Sequence, residues 1–156
     1  MGSDPNWIRL LFVTVAMSLS LAGCGTPDPG AAGSVDAPEE PVDINVLMAN
    51  ADVKRGQNLY LQCRACHSLN QGGMNKVGPN LYGMFGSKAG FAPGFAYSEA
   101  LIGTDVVWTP ETLSEWLARP SQFMPGNRMV FVGVKKPQDR ANIIAFLQQA
   151  TSGASN

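Results

Sequence analysis

Histidine is almost missing from this chain. His67 is the only one, and three cysteines complete a meagre stock of metal-ligating and redox side chains. One histidine excludes a Cys2His2 zinc site, and three cysteines cannot close a disulfide framework without leaving a thiol over. Charge is scarce as well: Asp, Glu, Lys and Arg make up 15% of the 156 residues, against roughly 25% in typical proteins. The formal net charge of −1 excludes a general nucleic-acid binder, which needs clustered Lys and Arg in excess. Only one apolar run is long, so a multi-span membrane protein is excluded too. What the chain does have is 45% hydrophobic residues together with 17 Gly and 11 Pro. That combination fits a compact domain with a real core and many loops.

The long apolar run, from Leu10 to Leu21, is uncharged and shorter than the about 20 residues a membrane-spanning helix needs. Its length and its place after Arg9 match the apolar region of an export signal. The residues that follow, Leu21-Ala22-Gly23-Cys24, resemble a bacterial lipoprotein signal. The resemblance implies cleavage before Cys24, a diacylglyceryl group on its thiol, and an exported, membrane-anchored protein facing the periplasm or cell exterior. Lipidation would account for the odd cysteine; ordinary cleavage nearby and an uncleaved anchor are the alternatives. Beyond Cys24 come Pro27, Pro29, Pro38 and Pro41 with the acids Asp28, Asp36, Glu39, Glu40 and Asp43, and no Lys or Arg. This is linker composition. The chain therefore divides into a signal at 1–23, an acidic tether at 24–50 and a folded domain at 51–156. Taken alone, that domain carries ten bases against six acids, a balance of +4. A basic face for an acidic protein partner and plain surface solvation both account for the excess.

The chemistry sits in Cys63-Arg64-Ala65-Cys66-His67, the c-type haem attachment motif. Each thiol can form a thioether with a haem vinyl group, and the adjacent imidazole can ligate the iron. Cysteines three apart lie on one side of a helical turn, which suits a porphyrin edge. A thioredoxin-like Cys-x-x-Cys is the rival, but no alternating strand–helix pattern surrounds it. Because His67 is the only histidine, a second axial ligand must come from Met, Lys or a chain terminus. Met124 and Met129, in the loop Gln122-Phe-Met-Pro-Gly-Asn-Arg-Met129, are placed far enough downstream to reach the opposite haem face.

With the motif go three further stretches: Val77-Gly-Pro-Asn-Leu-Tyr-Gly-Met-Phe-Gly86, Ala92-Pro-Gly-Phe-Ala-Tyr97 and Met124-Pro-Gly-Asn-Arg-Met-Val-Phe-Val-Gly133. Together they resemble the class I cytochromes c over essentially the whole domain. The resemblance implies an all-α fold of small helices around one covalent haem c. It assigns the axial methionine to Met129 and the acceptor of the His67 ring N–H to the carbonyl of Pro79. It assigns hydrogen bonds to a haem propionate to Tyr97 and Trp108. It also implies that the first and last helices cross, with Gly56 allowing close approach and Tyr60 near Phe146. Trp116 stands where a tyrosine usually bonds the methionine sulfur, Leu101 replaces an asparagine, Ser87 an arginine and Asn127 a threonine. Local signals agree: helices are expected from Asp52 to Gln62, from a Thr109-Pro110 start to just before Pro120, and from Lys136-Pro137 onward.

The functional expectation is a membrane-tethered one-electron carrier, not an enzyme, with redox proteins as partners. A quinol–cytochrome c reductase is the expected donor, and a terminal oxidase or photosynthetic reaction centre the expected acceptor. Neither nucleic acid nor a small-molecule substrate is expected. A peroxidase would need an open iron position and a distal base, and the one imidazole is already committed. A haem subunit fixed within a larger oxidase or reductase is the alternative.

Overall fold

The computed structural model describes residues 43–152, all within the unit that begins at Glu39. Cys24 and the whole expected signal lie outside the described residues.

Six helices follow one another: α1 Ile44–Met48, α2 Val53–Arg64, α3 Glu99–Ile102, α4 Pro110–Ala118, α5 Pro120–Phe123 and α6 Pro137–Thr151. Among the described residues the only β pairing is an isolated antiparallel bridge between Lys88 and Val107. The fold is all-α, as expected, and no described helix is long and apolar enough to cross a membrane.

The caps explain where the longer helices begin. The Asp52 carboxylate accepts the Arg55 N–H at the start of α2. Thr109 and Thr112 form a reciprocal capping box at the start of α4, with Pro110 in the first helical position, where a missing N–H costs nothing. The α2–α6 crossing is the centre of the architecture. Tyr60 packs on Phe146 with ring centroids 5.4 Å apart, and the Asp52 N–H donates to Asn142 Oδ1 at 2.9 Å. Arg55 closes the rim with an ion pair to Asp139 at 2.9 Å. At the crossing point a β-carbon on Gly56 would lie 1.9 Å from the Asn142 carbonyl oxygen, so only glycine lets the two backbones meet.

The boundary expected at 50/51 is too late. Asp43 caps α1 by accepting the Asn45 N–H, Ile44 is 4% exposed within the core, and Asn45 donates to Glu111 at 2.8 Å. Gln138 of α6 donates to the Leu47 carbonyl. Residues 43–48 thus pack as part of the folded domain. Five residues are too few to hold a helix alone; packing on α4 and α6 makes this one.

The face of α6 is also broader than its apolar stripe. Arg140 is buried beside Ile143 and Ile144, and its guanidinium donates to Ser114 Oγ and to the carbonyls of Val134 and Lys135 at 2.9–3.1 Å. It pins the start of α6 to α4 and to the loop between them. Arg140→Ala should cost roughly 2–4 kcal/mol, because buried acceptors lose their donor and a cavity opens. Arg140→Lys should recover little, since a point charge cannot span the same acceptors. Chemical denaturation of the holoprotein measures both.

Candidate functional site

The attachment motif occupies the end of α2 and the turn beyond it. Cys63 lies in the last helical turn, and its carbonyl accepts the N–H groups of both Cys66 and His67 at 3.0 Å. That turn carries the chain from Cys63 round to His67. Both thiols are free and half-buried. Burial, reinforced by Cys66, pushes the Cys63 thiol up to about 11. Activated dithiols show the opposite shift, with values of roughly 3.5–7.5.

His67 is held from two sides. Its Nδ1 lies 2.8 Å from the Pro79 carbonyl, which can only accept, so Nδ1 carries the proton and Nε2 keeps its lone pair. Burial lowers the ring's affinity for a proton, outweighing the bond to Pro79, while Lys76 acts in the same direction as burial. Gly78 packs flat against the ring: a β-carbon there would stand 2.3 Å from Cε1 and 2.8 Å from both nitrogens. The Gly78 N–H in turn donates to the Cys66 carbonyl at 2.8 Å, tying the His67 cradle to the motif.

The two candidate methionines part company. Met124 is a buried core residue at the end of α5, whereas Met129 is half-buried on the loop and packs against the same core as Cys63. The other expected residues sit as follows. The Tyr97 hydroxyl accepts the Ala92 N–H at 3.1 Å, and burial raises its pKa. Trp108 and Trp116 are both buried, edge to face at 5.6 Å, and Trp116 meets Phe123 in the same manner at 6.2 Å. Leu101 is packed on the core, and Ser87 donates to the Gly83 carbonyl.

Two residues gain a place that sequence reasoning did not give them. Ser98 Oγ is buried with no hydrogen-bond partner among the described residues, next in the chain to Tyr97. An orphaned buried hydroxyl costs about 1–3 kcal/mol unless a bound group supplies an acceptor. Asn127 braces the Met129 loop through three side-chain bonds described below. An Asn two residues before an N–H it can capture is a legible turn signal, whereas nothing in the sequence marks Ser98.

The residues present therefore fit a haem. Two half-buried thiols and a neutral imidazole nitrogen stand together in the attachment motif, and Met129 offers a thioether on the downstream loop. Such a site defines an all-α protein of the c-type haem class. The chain belongs to the cytochrome c family, whose model matches residues 53–151. It is similar to cytochrome c of Chlamydomonas reinhardtii, 49% identical over 102 residues, covering 65% of this chain and 91% of the relative. Cytochrome c of Sesamum indicum is 43% identical over 102 residues, covering 65% and 92%. That of Theileria parva is 44% identical over 109 residues, covering 69% and 94%. Membership makes this chain an electron carrier with covalently bound haem c and redox proteins as partners.

Proposed function

We propose that the chain is a membrane-tethered monohaem cytochrome, exported and facing the periplasm or cell exterior, that moves single electrons between respiratory or photosynthetic complexes. A quinol–cytochrome c reductase would be its donor and a terminal oxidase or reaction centre its acceptor. Cys63 and Cys66 would hold the haem through thioethers, His67 and Met129 would ligate its iron, and Tyr97, Trp108 and Ser98 would hydrogen-bond its carboxylates. Bound in this way, haem supplies a one-electron Fe(II)/Fe(III) couple. The protein's part is to fix the ligands so that they do not rearrange between oxidation states, and to keep water away. The observation that carries this reading is the fixed orientation of the only imidazole. Its proton is committed to Pro79, which orients the ring and raises its basicity as a ligand.

A lipid on Cys24 is what the signal-like residues support as the anchor. Mass spectrometry of the native protein, reporting haem and acyl groups together, tests attachment and lipidation at once.

The fixed-subunit reading has one observation in its favour. Met74 and Val77 precede Gly78 and Val130 and Val132 follow Met129, all four largely or fully exposed, and apolar side chains in the open suit a permanent interface. The tether separates the two readings. An exported variant beginning near Glu40 keeps Asp43 and α1, and should be a soluble, reducible cytochrome. Its oxidation by the purified partner should slow as salt rises, because Lys76, Arg128, Lys135 and Lys136 steer the encounter. Turnover in membranes should drop at matched haem concentration, since confinement raises effective concentration toward about millimolar for short links. Equal turnover with and without the tether would overturn the confinement argument. Failure of the free domain to be reduced would favour the fixed subunit.

A further inference from the structure

Met129 sits on a stretch with no regular structure between the end of α5 and the start of α6, so something other than a helix must hold its sulfur in place. Its own backbone N–H is bound by a single side chain, Asn127, whose Oδ1 accepts it at 2.9 Å. The amide nitrogen of Asn127 donates at the same time to the carbonyls of Pro120 at 2.9 Å and Met124 at 2.8 Å. Those carbonyls belong to the first residue of α5 and to the residue that ends it. One planar amide thus ties the Met129 backbone to both ends of the helix beneath it, and three of its four hydrogen-bonding positions are used.

The other contacts of the segment do not reach the Met129 N–H: the Asn127 N–H donates to the Met124 carbonyl at 3.2 Å, and Phe131 and Val134 pack against the core. Arg128 ties the segment to the Ala96 carbonyl, the Phe131 N–H closes a local turn on the Met129 carbonyl at 3.1 Å, and the Val134 N–H reaches the Leu117 carbonyl at 2.7 Å. Val130 and Val132 are almost wholly exposed, on either side of the packed Phe131. Removing the Asn127 amide would take away the one side-chain bond to the Met129 N–H, on a segment that leaves α5 through Gly126 at a φ of +86°, where glycine turns freely.

We propose that Asn127 is the positioning residue of the axial methionine: it sets how often the Met129 sulfur leaves the iron, and so how readily the sixth position admits a foreign ligand. The inference rests on the assignment of Met129 as axial ligand. A ligand that binds only the open form has its affinity scaled by the fraction open. Each lost hydrogen bond shifts that fraction several-fold, so loss of all three raises affinity roughly ten- to hundredfold.

The experiment titrates imidazole into the ferric holoprotein while following the weak far-red absorption band of a methionine–histidine haem. Wild type should show the band and bind imidazole weakly. Asn127→Ala should weaken the band and bind imidazole roughly ten- to hundredfold more tightly. Asn127→Ser keeps a short acceptor for the Met129 N–H but cannot span both carbonyls, and should fall between the two. It also serves if the alanine variant folds poorly. Asn45→Ala removes a comparable bond, to Glu111 on a remote part of the surface. It should lower thermal stability slightly and leave imidazole affinity unchanged. If Asn127→Ala and Asn127→Ser both bind imidazole as wild type does, the positioning role is overturned. If Asn45→Ala tightens imidazole equally, the effect is one of general stability and the proposal also fails. Met129→Ala keeps the two failures apart: it should abolish the band, and a band that survives it would overturn the ligand assignment itself.

Discussion

Gly56→Ala should be among the most damaging single substitutions in this protein. The added methyl would lie 1.9 Å from the Asn142 carbonyl oxygen, 2.5 Å from its carbon and 3.0 Å from Phe146 Cβ. Two of these three atoms are backbone, so no rotamer change relieves the clash, and α2 and α6 must separate along their crossing. Overpacking of this kind costs typically about 1–3 kcal/mol and occasionally more. Here the helices carry the Tyr60–Phe146 contact and the bond from Asp52 to Asn142 apart with them, which places the net effect at roughly 3–4 kcal/mol. Alanine's better helix propensity returns only about 0.5–1 kcal/mol. For a domain near 100 residues the melting midpoint should fall by roughly 15–25 °C. Gly72→Ala is the control: its φ is +68°, but nothing lies within 4 Å of the added carbon. It should cost about 1–2 kcal/mol from backbone conformation alone. Equal losses at the two positions, measured by calorimetry, would refute the close-approach account.

Gly78→Ala should strike the site and leave the helices standing. Its methyl would overlap the His67 ring, nearest at Cε1, so the imidazole must turn or the chain at Gly78 must move. Either change breaks the 2.8 Å bond from Nδ1 to Pro79 or the 2.8 Å bond from the Gly78 N–H to Cys66. The ligating nitrogen then loses the alignment that the second partner gives it, and such losses cost typically about 10–100-fold in metal-site affinity or activity. The expected result is a holoprotein yield reduced by roughly tenfold or more, with the surviving fraction showing a weakened or high-spin iron spectrum. The α2–α6 crossing does not involve Gly78, so far-ultraviolet circular dichroism of that fraction should stay close to wild type. A variant with normal yield and an unchanged spectrum would show that Gly78 is merely tolerated there.

These effects follow from features of unequal legibility. The three longer helices could be read in advance because local signals coincide with the apolar period: an acid cap at Asp52, Thr109 before Pro110, and Lys136-Pro137 before a stripe containing Ile143, Ile144 and Leu147. The attachment motif was legible because its spacing is its chemistry. The short helix Ile44–Met48 was not. Its residues follow an acidic, proline-rich stretch, and nothing local distinguishes them; the helix exists because Ile44 finds a place in the core and Gln138 finds the Leu47 carbonyl. Arg140 and Asn142 were hidden for a related reason. Polarity argues for an exposed face, and only the tertiary arrangement shows carbonyls and N–H groups waiting for them. The two methionines differ in burial, a distinction that composition and spacing left open.

The union of α2 with α6 also sets an entropic cost on folding. Asp52 and Asn142 are 90 residues apart, so bringing them together closes a loop that contains the haem motif and Met129. The length-dependent part of that closure costs about 4 kcal/mol in chain entropy before any contact inside the loop can offset it. A haem joined at Cys63, in the last turn of α2, gives the intervening chain a surface to collapse on and shortens the search. Once the helices are joined, the segment carrying Met129 can open and reclose without parting them.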